Sequence, residues 1–212
     1  PNTDMLPSAP DLPQLPALPP EADSNRFRSA RTHFNKFARS SGTGASLGRA
    51  VAEYVRKGYG GARGASARMA HSARTAGNII GFAQTVRQQG FDAAAKQFGL
   101  QGLIGKPIGE ASAILIDAFT GPAITTDENI SRDAWCEAVK ELIDDGVTDF
   151  EDLSPDQWAQ AVEVFLCKSI ELRIFNEIGV DVVGIAASVA RLDQIHNDLT
   201  SLIRGHVQNT IV

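Results

Sequence analysis

The stretch SPDQWAQAVEVFLCKSIELRIFNEIG, residues 154–179, decides the fold. Ser154 is a favoured helix N-cap, Pro155 suits the first helical position, and Gln157 stands where its side chain can reach back to the Ser154 N–H. This start predicts one long helix running to about Ile178, with Gly179 as a left-handed C-cap. A final helix is predicted over roughly 185–204, with Ile185, Val189, Leu192, Ile195, Leu199, Leu202 and Ile203 on one stripe. Before the long helix, Thr126 or Asp127 opens another, which carries Ile130, Ala134, Trp135, Ala138, Val139, Leu142 and Ile143 to a stop at Gly146. Pro107 reads as the first residue of a helix through Ala118, ended by Gly121-Pro122.

The N-terminal part is helical too, with weaker punctuation. Ser24 or Asn25 caps a helix whose apolar face is Phe27, Ala30, Phe34, Phe37 and Ala38. A second, from about Leu47 to Lys57, has Leu47, Ala50, Val51, Tyr54 and Val55 on one side. Gly58, Gly60, Gly61 and Gly64 then read as a flexible loop. Residues 62–89 form a third helical stretch in which breaks are expected near Gly77 or Gly81, because each interior Gly costs roughly 1 kcal/mol relative to Ala. No run of alternating β-branched residues demands a sheet. The reading is an all-α protein: a single domain of seven or eight helices over residues 25–212, preceded by a Pro-rich arm over residues 1–24.

The arm holds seven of the ten prolines, and each proline removes a helical N–H donor. Leu6, Leu12, Leu15 and Leu18 lie between them, giving an extended polyproline II arm with a partly apolar stripe. Leu12, Leu15 and Leu18 are the candidate contacts of a docking arm; a plain linker is the alternative.

Charge is distributed unevenly. The chain has 212 residues and a net charge of −5. Residues 1–23 carry four acidic groups and no basic one; residues 24–99 carry thirteen Lys or Arg against Glu53 and Asp92; residues 100–212 carry seven against nineteen Asp or Glu. The helical domain thus has a basic half, 25–99, and an acidic half, 100–212. Such asymmetry points to an acidic partner or to internal neutralisation between the halves. Arg26, Arg28, Arg31, Lys36, Arg39, Arg49, Arg56, Lys57, Arg63, Arg68 and Arg74 are mostly arginines, which suit bidentate phosphate or carboxylate contacts. Of these, Arg26, Arg28, Arg31, Arg49, Arg56 and Arg63 are the candidate partner-binding residues. The apolar faces beside them must turn inward, which sends the interleaved cations outward. Nucleic acid is a possible partner, with Tyr54 and Tyr59 as stacking faces, although no nucleic-acid fold signature accompanies them.

Catalytic motifs do not assemble. Gly44-Ala45-Ser46-Leu47-Gly48 has the spacing of a nucleophile elbow, but no hydrophobic strand precedes it. Gly105-Lys106 is followed by Pro107 rather than Ser or Thr, and Leu100 stands where a phosphate loop needs Gly. His33, His71, His196 and His206 form no zinc motif, and His196 with Asp193 reads as solvated helix surface. Asp144-Asp145 and Asp149-Glu151-Asp152 lack calcium-loop spacing. No catalytic residue, cofactor or metal is expected. Cys136 and Cys167 read as small buried hydrophobes, and two free thiols suit a reducing cytoplasm. No apolar run approaches a membrane span.

Six stretches carry a family resemblance: RSARTHFNKFARS (28–40), SLGRAVAEYV (46–55), GGAR (60–63), LIGKP (103–107), DENISRDA (127–134) and DLSPDQ (152–157). In this order they resemble the B proteins of the Qat anti-phage defence systems, the QatB family, over roughly residues 26–207. The resemblance implies a non-enzymatic bacterial defence component working beside an ATPase, a QueC-like enzyme (QatC) and a TatD-like nuclease. It also implies an adaptor whose N-terminal end receives a deazaguanine-type group from the QueC-like partner. Family members carry a short Gly/Ser-rich leader, and none precedes the Pro-rich arm in this sequence, so no acceptor residue is assigned.

Overall fold

The computed structural model describes residues 25–39, 44–121, 123–179 and 188–211, and among these the regular elements are helices, with no strand. The Pro-rich arm, with Leu12, Leu15 and Leu18, lies outside the described residues, as does Ile185. The helices are α1 (Arg28–Arg39), α2 (Gly44–Glu53), α3 (Ala62–Arg68), α4 (Ala70–Gln89), α5 (Phe91–Gln97), α6 (Ile108–Thr120), α7 (Thr126–Asp144), α8 (Pro155–Ile178) and α9 (Val189–Ile211). A break within residues 62–89 was expected, and the short α5 brings the number among the described residues to nine, against the expected seven or eight.

The start of α8 is as its sequence predicts. Ser154 Oγ accepts from the Gln157 N–H at 3.2 Å, and Gln157 Oε1 accepts from the Ser154 N–H at 2.9 Å. Helix α7 opens at Thr126, one of the two expected positions, behind a second capping box: Thr125 takes the Glu128 N–H and the Glu128 carboxylate takes the Thr125 N–H. Pro107 is the cap rather than the first helical residue of α6; its carbonyl accepts the Glu110 and Ala111 N–H groups, both at 3.0 Å.

Gly179 is not left-handed. Its φ of −89° and ψ of −9° continue the helical geometry, and its N–H reaches the Phe175 carbonyl at 2.9 Å. A glycine is needed there because a Cβ would press into Phe175. The break in residues 62–89 falls at Met69, and α4 runs unbroken through Gly77 and Gly81. Its stripe of Ser72, Thr75, Ala76, Ile79 and Phe82 is buried, and that packing outweighs the two glycines.

Two apolar cores form. The first joins α4–α8: Phe82 meets the rings of Phe91, Phe98, Phe119 and Trp158, while Phe150 stacks between Trp135 and Trp158. The second joins α1, α2 and α9 to the end of α8, through Phe34, Phe37, Leu47, Ala50, Ile174, Ile178, Ile195, Leu199 and Ile203. Helix α8 belongs to both. The cores cut across the charge boundary at residue 99, since α4 and α5 pack with α6–α8.

Candidate interaction surface

Helix α2 runs into a π-helical turn, Tyr54–Gly58, that brings the Gly-rich segment against α1. This segment is packed at Gly58 and Gly64 and open at Gly60 and Gly61. Gly58 is buried, and a Cβ there would run into the Phe27 ring. Phe27 stacks on Tyr54 at 5.3 Å and meets Tyr59 edge-on, while the Arg26 guanidinium lies over Phe27 at 4.4 Å.

Behind these rings lies a charge cluster that joins the two halves of the sequence. Glu177 of α8 accepts hydrogen bonds from the Tyr54 hydroxyl at 2.7 Å and from the Tyr59 hydroxyl. Arg68 bridges Glu177 at 3.3 Å and Asp127 at 3.1 Å, and Arg173 donates to Asp127 at 2.8 Å. Arg173 is 2% exposed. Burial, with the Glu177 carboxylate close by, pushes the Tyr54 phenol far above its ordinary range and Tyr59 up to about 12. Burial works against the Arg68 charge, but Asp127, Tyr59 and Glu177 outweigh it and hold its pKa above the ordinary value. Beside the cluster is a cavity of about 240 Å³ walled mainly by Val51, Val55, Tyr59, Met69, Ile170 and Ile174.

The candidate cations divide into two sets. Arg28, Arg49, Arg56 and Arg63 are exposed on α1, α2, the π turn and α3, and Lys36, Arg39, Lys57 and Arg74 are exposed with them. Arg56 and Lys57 flank Glu53, whose carboxyl they and Ser29 hold down at about 2. Arg26 and Arg31 are half-buried; Arg31 donates to the Glu177 carbonyl at 3.0 Å and ties α1 to the end of α8.

Glu171 is a buried polar residue that the sequence reading did not single out. It is 3% exposed and accepts from Thr200 at 2.7 Å and Lys168 at 3.0 Å, with His196 Nδ1 at 2.9 Å. Burial raises its carboxyl, but these hydrogen bonds prevail and leave it below the ordinary value. His196 stacks on Phe175 at 4.0 Å, so it partners Glu171 and Phe175 and is not simply solvated surface. It opens onto a hollow of about 560 Å³ with Asn129, Asp133 and Asn176. Cys167 is buried, which lifts its thiol to about 11, whereas Cys136 is exposed, against expectation. The reason is register: Trp135 and Ala138 take the buried positions of α7 on either side of it. The signal for α8 was there in the sequence: Glu171, Arg173 and Glu177 interrupt a helix that is apolar on most sides.

Fold and surface together define an all-helical protein with exposed cations on its N-terminal elements. Among the described residues no helix is long and apolar enough to cross a membrane, and no group of three or more His, Cys, Asp or Glu could hold a metal ion. The chain belongs to the QatB family: the family model described as Qat anti-phage system associated protein QatB matches residues 60–212. The match takes in α3–α9 and leaves α1 and α2 outside it. No curated protein and no solved structure matches the chain.

Proposed function

We propose that this component of an anti-phage defence system is a cytoplasmic adaptor without catalytic chemistry of its own. In this reading its cationic face and N-terminal arm engage the QueC-like enzyme of the system, which modifies the N-terminal end. The ATPase and the TatD-like nuclease are further partners. The observation that carries the reading is the exposed set Arg28, Arg49, Arg56 and Arg63, the first three on elements that give their apolar faces to the core. Isolated surface ion pairs add only about 0–1 kcal/mol each, so folding gives little reason to gather cations there. A complementary partner surface does, because opposite potentials steer encounter and set register.

Size-exclusion chromatography of the chain mixed with the QueC-like protein tests this. Co-elution of the wild type, lost on reversing Arg49, Arg56 and Arg63 to Glu, is the expected result. Two separate peaks at micromolar concentration overturn it. The arginine content of the same face favours a second reading, nucleic-acid binding. Phosphate-driven affinity falls steeply with salt, so a gel shift at about 50 mM salt that vanishes at higher salt would support it.

A further inference from the structure

The Pro-rich arm has a strict period. Proline stands at every third position, Pro7, Pro10, Pro13, Pro16 and Pro19. A polyproline II helix has three residues per turn, so these prolines would share one edge and Leu6, Leu12, Leu15 and Leu18 the next. Its backbone makes no internal hydrogen bonds, which leaves its carbonyls free to accept.

The cavity beside Tyr54 and Tyr59 matches such a segment in two respects. Its walls are apolar, formed by Val51, Val55, Met69, Ile170 and Ile174, and its volume of about 240 Å³ accommodates leucine side chains. Exposed Arg56, Lys57 and Arg63 stand on the π turn and α3 that border it, opposite in sign to Asp4, Asp11, Glu21 and Asp23 of the arm.

The arm also joins the fold at this place. Asn25 leads into Arg26, whose guanidinium lies 5.3 Å from the Tyr59 ring centre, and Phe27 packs on Tyr54 and Tyr59, both of which line the cavity. The stretch from Leu18 to Asn25 spans roughly 20 Å when extended at about 3.1 Å per residue. A tether that short gives an effective concentration on the order of millimolar.

We propose that the arm docks in cis on this cavity, with Leu15 and Leu18 seated against its apolar walls. The leucine stripe is then held on the chain's own surface until something displaces it. This concerns the chain alone and stands whether or not the QueC-like enzyme is its partner.

A labelled peptide of residues 6–20 tests the proposal against two full-length chains, the wild type and a Leu12→Asp, Leu15→Asp, Leu18→Asp variant. The variant is expected to bind the peptide at least tenfold more tightly, because its cavity is vacant. Adding Ala65→Trp, which fills the cavity, should abolish that binding. If Ala65→Trp lowers the melting temperature, Ser66→Trp at an exposed position of the same wall takes its place. Hydrogen exchange in residues 54–69 and 170–174 should be faster in the triple-Asp variant than in the wild type. Equal peptide binding to both chains, binding to neither, or binding indifferent to the tryptophan overturns the proposal. So does protection that grows with protein concentration, which would assign the arm to a second copy.

Discussion

The two ends of α8 are built differently. Its first half buries Trp158, Ala161, Val162, Val164 and Phe165 in the α4–α8 core, with no charge among them. Its second half buries Glu171 and Arg173 and half-buries Glu177, among Cys167, Ile174 and Ile178. The apolar end draws its neighbours in without direction, as hydrophobic burial does. The polar end is directional: Glu171 matches His196 and Thr200 of α9, Arg173 matches Asp127 of α7, and Glu177 matches Tyr54, Tyr59 and Arg68. Buried charges add little net stability. What these contribute is a register, fixing where α9 and the π turn sit on α8.

The largest effect should come from the apolar end. Phe82→Ala removes a fully buried ring that touches four other aromatic rings and should cost about 3–5 kcal/mol in denaturant unfolding. A loss below about 1 kcal/mol would mean that this core collapses around the gap and is not the rigid half.

Next comes Arg173→Leu. It leaves Asp127 and Glu177 with Arg68 alone, so the expected cost is about 2–4 kcal/mol. Hydrogen exchange should quicken in residues 54–68 more than in α4. Uniform quickening would erase the distinction between the two ends.

Acid should act on the polar end through Glu171. Its folded pKa lies below the ordinary 4.5, so its stabilisation is present above that value and lost as pH falls through the folded pKa. Glu171→Gln should therefore lower the melting temperature near neutral pH and approach the wild type as pH falls through the folded pKa of Glu171. A gap that stays constant with pH would assign its role to packing alone.

The smallest effect on stability is expected on the surface. Reversing Arg49, Arg56 and Arg63 to Glu touches one ion pair, Arg56 with Glu53, and should shift stability by about 1 kcal/mol or less. A collapse in melting temperature would make these cations part of the fold's internal neutralisation and not a docking face.

The comparison with the family sharpens the same division. The matched residues, 60–212, contain the whole α4–α8 core, while α1 and α2 complete the second core from outside the match. Exposure of Arg28, Arg49 and Arg56 was legible because neighbouring apolar residues claim the inward face of each element, whereas α3, which carries Arg63, buries no residue. The cluster of Glu177, Tyr54, Tyr59 and Arg68 was not legible, because Glu177 lies 109 to 123 positions from the other three in the chain.

Helix character, the Ser154–Gln157 cap and the inward stripes of α1 and α7 were determined by the sequence alone, because caps and periodicity act within three or four residues. Tertiary structure decided the rest. It kept α4 whole through Gly77 and Gly81, broke the helix at Met69, turned Cys136 outward and gave Gly179 a right-handed conformation beside Phe175. It also chose Glu171 as the partner of His196 across 25 positions, where the sequence offered Asp193 three residues away. Each of these outcomes depends on what a neighbouring helix places against the residue, and a local pattern carries no information about that neighbour.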